Sequence, residues 1–352
     1  MMNANYTRKD TYILIPAYKP DELLINLLKE LKKEDFDIIV VNDGSGDSFQ
    51  AVFEEAKKYA VVLEQNPNRG KGAALRFGFS YVNLHQNDHN YVITCDADGQ
   101  HAVKDIIRVN DKLHETDNVV LGSRKFDKSV PKRSRNGNFM SRLCRTLITK
   151  DYIPDDQCGL RGFPITDIFN FVSIQGNHYE YEMNIICDLQ IKRLKFEEVP
   201  IETIYLNNNS SSHFKPNLDT FRIQRTIWTN AVVPLMCALM SIAILAVLSL
   251  IWREPLINRY LFLAISYLFY FEFLMGITAF VWPTRKMGRR ILIEGIYATI
   301  KTVMVFVIFT VLFELCHFYA VIAYIIALLL TFLTNFPLAY LAWKIKSRRD
   351  NK

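Results

Sequence analysis

The stretch that indicates the fold most directly is Tyr91-Val92-Ile93-Thr94-Cys95-Asp96-Ala97-Asp98-Gly99-Gln100-His101, in which a short apolar run is followed at once by two carboxylates. The apolar half is typical of a buried strand. Two carboxylates one residue apart at the open end of a strand repel each other and call for a cation. Mg²⁺ or Mn²⁺, held by oxygen ligands and by diphosphate oxygens, fits best. The stretch therefore predicts a strand that ends at a metal and phosphate site.

The same alternation of apolar runs and amphipathic stretches continues over residues 11–206. It predicts an α/β domain with a mostly parallel sheet, in which ligands bind beyond the carboxyl ends of the strands. The predicted strands are Tyr12–Ile15, Ile38–Val41, Val61–Leu63, Tyr91–Thr94 and Val119–Leu121. The clearest helical patterns between them are Asp21–Lys33, Ser48–Tyr59 and Gly72–Val82.

Polar motifs follow the other predicted strands as well. Pro16-Ala17-Tyr18 follows the first strand, and Asn42-Asp43-Gly44-Ser45 follows the second. Asp43 is placed to accept hydrogen bonds from a ribose or a base edge, although Asp-Gly-Ser is also ordinary turn and helix-cap chemistry. The stretch Asn68-Arg69-Gly70-Lys71-Gly72 opens a predicted helix, where backbone N–H groups suit a phosphate or a nucleotide edge. Its alternative interpretation is close helix–sheet packing at Gly72, and it does not match a Walker A loop.

Basic residues further along the chain suit phosphate groups. Gly122-Ser123-Arg124 follows the fifth predicted strand, and Lys132-Arg133-Ser134-Arg135 lies further along the chain. Arginines near a metal site bind phosphate well, whereas Lys132 is equally explained as part of a solvated loop. Further polar groups lie at 155–161 and 180–182. Residues 207–226, which include Ser212, precede a long apolar stretch and are predicted to lie at the membrane surface.

Four long apolar stretches fill the C-terminal third, and each exceeds the roughly 20 residues that cross a hydrocarbon core. Lysines and arginines concentrate before the first stretch, between the second and third, and in the tail, which predicts that both termini are cytoplasmic. The predicted spans are Ile227–Trp252, Tyr260–Trp282, Ile291–Leu315 and Phe318–Trp343. Glu272, Glu294 and Lys301 lie within them and line a polar path for a lipid headgroup, or, alternatively, Glu272 and Lys301 form a buried ion pair that fixes helix register.

The charge is unevenly divided. The chain of 352 residues has a net charge of +6, but residues 227–352 hold 12 basic and 5 acidic groups, which leaves 30 basic and 31 acidic groups in residues 1–226. A near-neutral N-terminal part argues against nucleic-acid binding. The six cysteines show no CxxC or zinc-finger spacing, which favours reduced, cytosol-facing thiols. The polar first ten residues predict a flexible N-terminus and no cleavable signal peptide.

On these motifs, residues 11–226 resemble a glycosyltransferase family 2 domain of GT-A fold, and most closely the polyprenyl-phosphate glycosyltransferases of the dolichol-phosphate mannose synthase and bactoprenol glucosyltransferase type. The motifs that carry the resemblance are Ile15–Tyr18, Asp43–Ser45, Asn68–Gly72, Asp96–His101, Gly122–Arg124 and Asp155–Arg161. Residues 227–352 resemble the small four-span GtrA-like membrane family, with polar Thr334-Asn335 late in the last span.

The resemblance implies roles for particular residues. A Mg²⁺ or Mn²⁺ ion would be held by Asp96, Asp98 and Gln100. The nucleotide sugar would contact Pro16, Ala17, Tyr18, Asp43, Gly70, Lys71, Asp96, Ala97 and Asp98. The acceptor phosphate would contact Arg124, Arg133, Arg135 and Ser212, and the catalytic residues would be Asp98, Asp155 and Arg124. The family's usual Asn-Glu after Pro-Ala-Tyr is Lys19-Pro20 here, so a contact through that acidic residue would have to come from Asp21 or Glu22.

The implied function is a plasma-membrane, inverting glycosyltransferase that moves a hexose or N-acetylhexosamine from a nucleotide sugar to polyprenyl phosphate. UDP-sugars, with UDP-glucose and UDP-N-acetylglucosamine foremost, are the favoured donors and undecaprenyl phosphate the favoured acceptor. The membrane part would fix the enzyme at the bilayer, allow a homo-oligomer, and aid translocation of the product. Two alternatives remain open. One is a processive polysaccharide synthase, although the QxxRW motif is not matched, and the other is a catalytically silent membrane scaffold.

Overall fold

The computed structural model describes residues 8–86, 89–124, 132–192, 194–202, 216–229, 232–251, 261, 264–265, 300–317 and 319–350. The chain divides into two compact units. The first comprises residues 1–142, 154–189 and 194–226, and the second comprises residues 143–153, 190–193 and 227–352.

The first unit is built on a seven-stranded sheet with the order β3-β2-β1-β4-β6-β5-β7. Neighbouring strands are parallel except where β6 pairs with β4 and with β5. The strands are β1 Thr11–Ala17, β2 Asp37–Asp43, β3 Val61–Gln65, β4 Tyr91–Thr94, β5 Val119–Arg124, β6 Arg161–Pro164 and β7 Phe196–Ile201. The predicted mostly parallel α/β sheet is confirmed.

Helices connect the strands, and their apolar faces pack on the sheet. In α1 the leucines at 24, 27, 28 and 31 are all buried, as an amphipathic helix requires. The helices are α1 Glu22–Lys33, α2 Gln50–Ala56, α3 Lys71–Leu84, α4 Val103–Thr116, α5 Lys132–Thr149, α6 Ile165–Val172, α7 Glu180–Ile191 and α8 Pro216–Thr229. The helix predicted over Ser48–Tyr59 is shorter because the 3-10 turn Asp47–Phe49 precedes it.

Strands β6 and β7 were not predicted from the sequence. Strand β6 contains Gly162 and ends at Pro164, and both residue types are poor strand formers. Strand β7 contains two glutamates and Pro200. Its position at the edge of the sheet explains why it tolerates a proline, which cannot donate to a ladder hydrogen bond.

The second unit is helical. Its described helices are α9 Val232–Ile251, a helix over 300–310 that continues into a π turn at Val311–Leu315, α10 Ala320–Leu333 and α11 Asn335–Asp350. Val305 and Phe309 pack against Ala323, Tyr324 and Ala327 in its core.

Residues 143–153 belong to the same unit and make specific contacts within it. Asn335 Nδ2 donates to the Leu147 carbonyl at 2.8 Å. The ring of Tyr152 packs against the rings of Phe336, Tyr340 and Trp343 at centroid distances of 5.0–5.9 Å. No apolar run in the sequence indicated that these residues join the C-terminal helices.

The described residues contain one helical stretch, Ala320–Ile345, that is long and apolar enough to cross a membrane. Most of the predicted span Tyr260–Trp282 lies outside the described residues, as do parts of the spans predicted at 227–252 and 291–315. The four-span arrangement therefore stays a prediction.

Two smaller predictions fall partly outside the described residues as well. Glu272 and Glu294 are not among them, whereas the Lys301 ammonium donates to the Thr331 carbonyl and the Thr334 hydroxyl. Of the N-terminus predicted to be flexible, residues 8–10 form a 3-10 turn and residues 1–7 lie outside the described part.

Candidate active site

The site lies at the carboxyl edge of the sheet. Strands β1, β2, β4 and β5 all end there, because they run parallel. Strand β6 runs the other way, so its first residue, Arg161, pairs with Thr94 at the end of β4 and with Leu121 of β5. The antiparallel strand therefore brings the loop at 155–160 to the edge where the other motifs meet.

Asp96 and Asp98 lie in the turn that follows β4. The Gln100 backbone N–H donates to Asp98 Oδ1 at 3.1 Å, and Gly99 has a φ of +72°, which favours glycine. Gly159 approaches Asp96 so closely that a Cβ atom there would lie 2.6 Å from Oδ2. A glycine at position 159 is therefore needed to leave room for the Asp96 carboxylate.

The electrostatics separate these two carboxylates. Burial raises the pKa of Asp96, but the Lys71 ammonium and His101 more than offset this and hold the pKa of that carboxyl well below its usual range. Burial and the charge on Asp96 both raise the pKa of Asp98. Burial and both carboxylates raise the pKa of the Cys95 thiol, so Cys95 stays protonated and is a poor metal ligand.

Lys71 is the cation that balances this charge. Its Nζ lies 2.7 Å from Asp96 Oδ1 and 2.8 Å from Glu182 Oε2. Burial lowers the pKa of Lys71, but the two carboxylates more than compensate and hold it above its ordinary value. Lys71 is the first residue of α3, with Gly70 as the N-cap at a φ of +99°. The helix start thus presents an ammonium beside the backbone N–H groups of its first turn. Of these groups, the N-cap Gly70 N–H donates to Asp43 and the Ala73 N–H donates to the Asn177 carbonyl.

Asp43, predicted to contact the nucleotide, is only 3% exposed and already bonds within the protein. Its Oδ1 accepts from Arg69 N at 2.8 Å and Gln65 Nε2 at 2.6 Å, and its Oδ2 accepts from Gly70 N at 2.8 Å and Asn68 Nδ2 at 3.0 Å. The carboxylate therefore fixes the loop between β3 and α3, which makes it a support for the Gly70-Lys71 turn.

Arg124 and Asp155, both predicted to be catalytic, form a pair. The Arg124 guanidinium donates to Asp155 through Nε at 2.7 Å and Nη2 at 3.1 Å, and the Arg124 backbone N–H donates at 3.1 Å. Asp155 also accepts from Gln157 N at 3.2 Å. Both Asp155 oxygens are thus occupied by donors, so the geometry suits a residue that orients Arg124 better than it suits a general base.

The other residues predicted to contact the nucleotide sugar lie at the end of β1 and in the turn that follows it. Pro16 and Ala17 end β1 opposite Val41 and Asn42, and Tyr18 follows them. The Lys19 backbone N–H donates to Ser45 Oγ at 2.8 Å, which ties this turn to the one after β2. Asp21, one of the two substitutes for the family's acidic residue, is the N-cap of α1 and accepts from Leu23 N.

Three residues predicted to contact the acceptor phosphate have side chains outside the described part of the structure. Positions 133 and 135 belong to the first turn of α5, and their side chains lie outside what the structure describes. Ser212 also lies outside the described residues.

Other side chains at the site had no role predicted from the sequence. Arg161 is buried and donates to the carbonyls of Cys158, Glu182 and Asp156, which joins the loop at 155–160 to α7. His101 is buried with Nε2 3.4 Å from Asp96 Oδ2. Glu182 is the second partner of Lys71. Their sequence signal was membership of the motifs Asp96–His101 and Asp155–Arg161 and of the polar group at 180–182, without a role for any one of them.

The donor set fits a divalent cation that shares its coordination with a ligand. Among the described residues, no group of three or more His, Cys, Asp and Glu side chains is arranged to hold a metal. Mg²⁺, however, is typically bound by one or two carboxylates together with substrate phosphates. The ionised Asp96 and its close neighbour Asp98 supply carboxylates of this kind.

Comparison with known proteins agrees with this geometry. The glycosyl transferase family 2 model matches residues 12–166, which include the strands β1 to β6 and the motifs at their ends. An uncharacterised protein of Methanocaldococcus jannaschii is 33% identical over 212 residues, which cover 58% of this chain and 85% of that protein. The chain therefore belongs to glycosyl transferase family 2. The match ends before the C-terminal third, so the GtrA-like resemblance stays a prediction.

Two further proteins, one known by sequence and one by crystal structure, are similar to part of this chain. The UDP-N-acetylglucosamine–dolichyl-phosphate N-acetylglucosaminyltransferase of Methanococcus voltae is 27% identical over 216 residues, which cover 55% of this chain and 85% of that enzyme. The crystal structure of glucosyl-3-phosphoglycerate synthase from Mycobacterium tuberculosis with Mn²⁺, UDP and phosphoglyceric acid has a TM-score of 0.45 and 15% identity, over 63% of this chain and 78% of that one.

Proposed function

We propose that this protein transfers a single sugar from a nucleotide sugar to the phosphate of a polyprenyl lipid. The observation that carries the proposal is the meeting of two carboxylates, the Lys71 ammonium and the Arg124 guanidinium at one edge of the sheet. A nucleoside diphosphate and a phosphomonoester are both anions, and this arrangement offers a cation to each. The relative from Methanococcus voltae, named for transfer to dolichyl phosphate, supports the choice of acceptor.

On the donor side, Asp96 and Asp98, with Gln100 beside them, would hold Mg²⁺ or Mn²⁺. A divalent cation bound there would neutralise charge on the diphosphate and make it a better leaving group. Lys71 and the N-terminus of α3 would bind diphosphate oxygens. Asp43 holds the Gly70-Lys71 turn in place for this contact, while Pro16, Ala17, Tyr18 and Ala97 complete the nucleotide pocket.

On the acceptor side, Arg124 would bind the lipid phosphate, aided by Arg133, Arg135 and Ser212. An oxygen of that phosphate attacks the anomeric carbon as the bond from this carbon to the diphosphate breaks, and the leaving group departs with the bonding electrons. We propose inversion at the anomeric carbon. A phosphomonoester has a second pKa near about 6, so it is largely ionised at neutral pH and needs no strong general base. Asp155 therefore acts by orienting Arg124.

The acceptor explains the need for a membrane surface. A polyprenyl chain stays in the bilayer, so the site must meet the phosphate there. Helix α8 presents Leu218 and Phe221 to solvent, with Phe221 65% exposed, while Asp219 and Ile223 on its other side are buried. Exposed aromatic and aliphatic side chains beside Arg222 and Arg225 are typical of a helix that lies on anionic lipid. This helix is proposed to lie on the cytoplasmic surface of the membrane.

The second unit is proposed to help the product cross the membrane. Lys301 is buried and donates to Thr331 and Thr334, which provides a cation within apolar helices where a sugar phosphate could be accommodated. In sealed vesicles, Lys301→Met should leave synthesis unchanged and slow appearance of the lipid-linked sugar in the opposite leaflet. Equal rates for both proteins would contradict this role.

The reaction is tested with the full chain in membranes. Vesicles that contain the protein are incubated with undecaprenyl or dolichyl phosphate and radiolabelled UDP-glucose, UDP-N-acetylglucosamine or GDP-mannose. We expect label from one donor to enter the organic phase, and EDTA to abolish this until Mg²⁺ or Mn²⁺ is restored. Label that never enters lipid with any donor, or transfer that survives EDTA, would contradict the proposal or its metal dependence respectively.

A further inference from the structure

The ammonium of Lys71 is held by three rigid elements of the first unit. It belongs to the start of α3, it contacts Asp96 after β4, and it contacts Glu182 in α7 at 2.8 Å. The three side chains are 18%, 29% and 11% exposed, so the contacts are largely shielded from water. Its Nζ also lies 5.5 Å from the centroid of the Tyr179 ring, which attracts a cation.

The start of α3 packs so closely against the start of α7 and the residues before it that no side chain fits between them. A Cβ atom at Gly72 would lie 2.4 Å from Cβ of Tyr181, and one at Gly70 would lie 2.4 Å from the Asn177 carbonyl oxygen. That carbonyl accepts from the Ala73 N–H at 3.1 Å. Glycines at positions 70 and 72 therefore bring the two helices together and fix Glu182 beside Lys71.

Arg161 fixes Glu182 from the other side. Its Nη1 donates to the Glu182 carbonyl at 2.6 Å, while its Nε donates to the Cys158 carbonyl at 2.9 Å. The backbone of Glu182 is thus held independently of its side chain. This leaves the carboxylate free to act on Lys71 rather than to support the fold.

Asp96 and Glu182, the two carboxylates beside Lys71, have different roles when the nucleotide sugar binds. On the proposed function, on which this inference rests, Asp96 turns its charge to a divalent cation. An ammonium beside that cation is repelled and needs another anion to keep it there. Glu182 lies in place for this, and an ammonium that keeps one bond to Glu182 retains donor hydrogens for a phosphate oxygen.

We propose that Glu182 is a positioning residue for donor binding: it keeps the Lys71 ammonium at the diphosphate when Asp96 exchanges that ammonium for the metal. Lys71 thereby moves its second bond from Asp96 to a diphosphate oxygen and stays anchored to α7. Without Glu182, Lys71 would remain paired with Asp96 and compete with the cation for it.

The test measures nucleotide binding, not transfer, in the full-length detergent-solubilised protein. Calorimetry with UDP and with GDP, each with Mn²⁺, gives the affinity of wild type, Glu182→Gln, Lys71→Met and the double variant. Uridine and guanosine, which lack both phosphates, measure the rest of the pocket. Glu54→Gln is the matched control, because Glu54 on the exposed face of α2 pairs, within the described part of the chain, with Lys57 alone.

Glu182→Gln should weaken binding of the diphosphate about 10- to 100-fold, the usual effect of losing a hydrogen bond to a charged group. Nucleoside affinity and thermal stability should change little, and Glu182→Asp should restore part of the loss. In the Lys71→Met background the second substitution should add less than about twofold, because paired residues are not additive.

Three results would overturn the inference, and they distinguish its failure from that of the proposed function. Unchanged diphosphate affinity in Glu182→Gln, or an equal loss in the Lys71→Met background, would show that Glu182 does not act through Lys71 and would leave the proposed function standing. Failure of the wild type to bind UDP or GDP would overturn the proposed function and this inference with it.

Discussion

Asp155 is a buried carboxylate whose oxygens all face N–H donors, three of them from Arg124. Asp155 holds the Arg124 guanidinium in one orientation through two hydrogen bonds, whereas a guanidinium on its own samples many rotamers. On the proposed function, Asp155 therefore acts on the acceptor through Arg124.

Asp155→Asn tests this dependence. The amide group would face one of the Arg124 donors with its NH₂, so we expect transfer to polyprenyl phosphate to slow about 10- to 100-fold, as for loss of a charged hydrogen bond. Steady-state kinetics should show a lower kcat/KM for polyprenyl phosphate, while the affinity for UDP stays within twofold of the wild type. Glu54→Gln serves as the surface control, and unchanged acceptor kinetics in Asp155→Asn would contradict the role.

Gly159→Ala tests the space around Asp96. Its methyl group would lie 2.6 Å from Asp96 Oδ2, closer than such atoms approach, so the carboxylate or the loop must shift. We expect Mn²⁺-dependent UDP binding to weaken at least about tenfold, the scale of a lost charged contact. Gly137→Ala is the matched control, because a Cβ atom there meets nothing within 4 Å. Equal UDP affinity in the two variants would show that Gly159 does not set the Asp96 position.

At the scale of elements, the turn before α3 is held by a carboxylate from β2. Asp43 accepts the backbone N–H groups of Arg69 and Gly70, so the helix start is fixed relative to the sheet before any ligand binds. A site that is organised in advance loses less entropy on binding. Strand β2, the turn before α3 and the start of α3 therefore keep one fixed arrangement at the proposed donor site.

Asp43→Asn should disturb that unit. One backbone N–H would face an amide NH₂ in a buried position, which costs about 1–3 kcal/mol. We expect the midpoint of thermal unfolding to fall by roughly 2–4 °C for each kcal/mol, with weaker UDP binding. Asp21→Asn is the control, since Asn and Asp are equally good N-caps of a helix such as α1. Equal unfolding midpoints for the two variants would show that Asp43 does not hold the turn before α3.

Local pattern was enough to predict β1 to β5 and the motifs at their ends, because parallel strands form continuous apolar runs. Strand β3 still carries such a run, although it lies at the edge of the sheet and none of its residues is buried. It could not predict β6, whose Gly and Pro disguise the strand, nor that β6 runs antiparallel between β4 and β5. The pairs Arg124–Asp155 and Lys71–Glu182 were also out of reach. Their members are 31 and 111 residues apart, and the sheet order together with the close packing of α3 on α7 brings them together.

At the scale of the whole molecule, the proposed acceptor is a lipid that does not leave the bilayer, so helix α8 is proposed to contact the membrane. Phe221→Ser with Leu218→Ser would remove the exposed apolar side chains of α8. We expect transfer to undecaprenyl phosphate in vesicles to fall severalfold, whereas transfer to a short-chain acceptor in detergent stays unchanged. Thr220→Ser, on the same helix, is the control. Equal losses with both acceptors would show that α8 supports the catalytic domain and not its contact with lipid.

The central claim is that one sugar is joined to one lipid phosphate. Mass spectrometry of the lipid product made by the purified full chain, with Asp98→Ala in parallel, tests this most directly. We expect a single mass, that of polyprenyl phosphate plus one hexose or N-acetylhexosamine residue. We also expect one nucleoside diphosphate released per product, and no product from Asp98→Ala. A ladder of masses spaced by one sugar, a lipid diphosphate, or the same product from Asp98→Ala would contradict it.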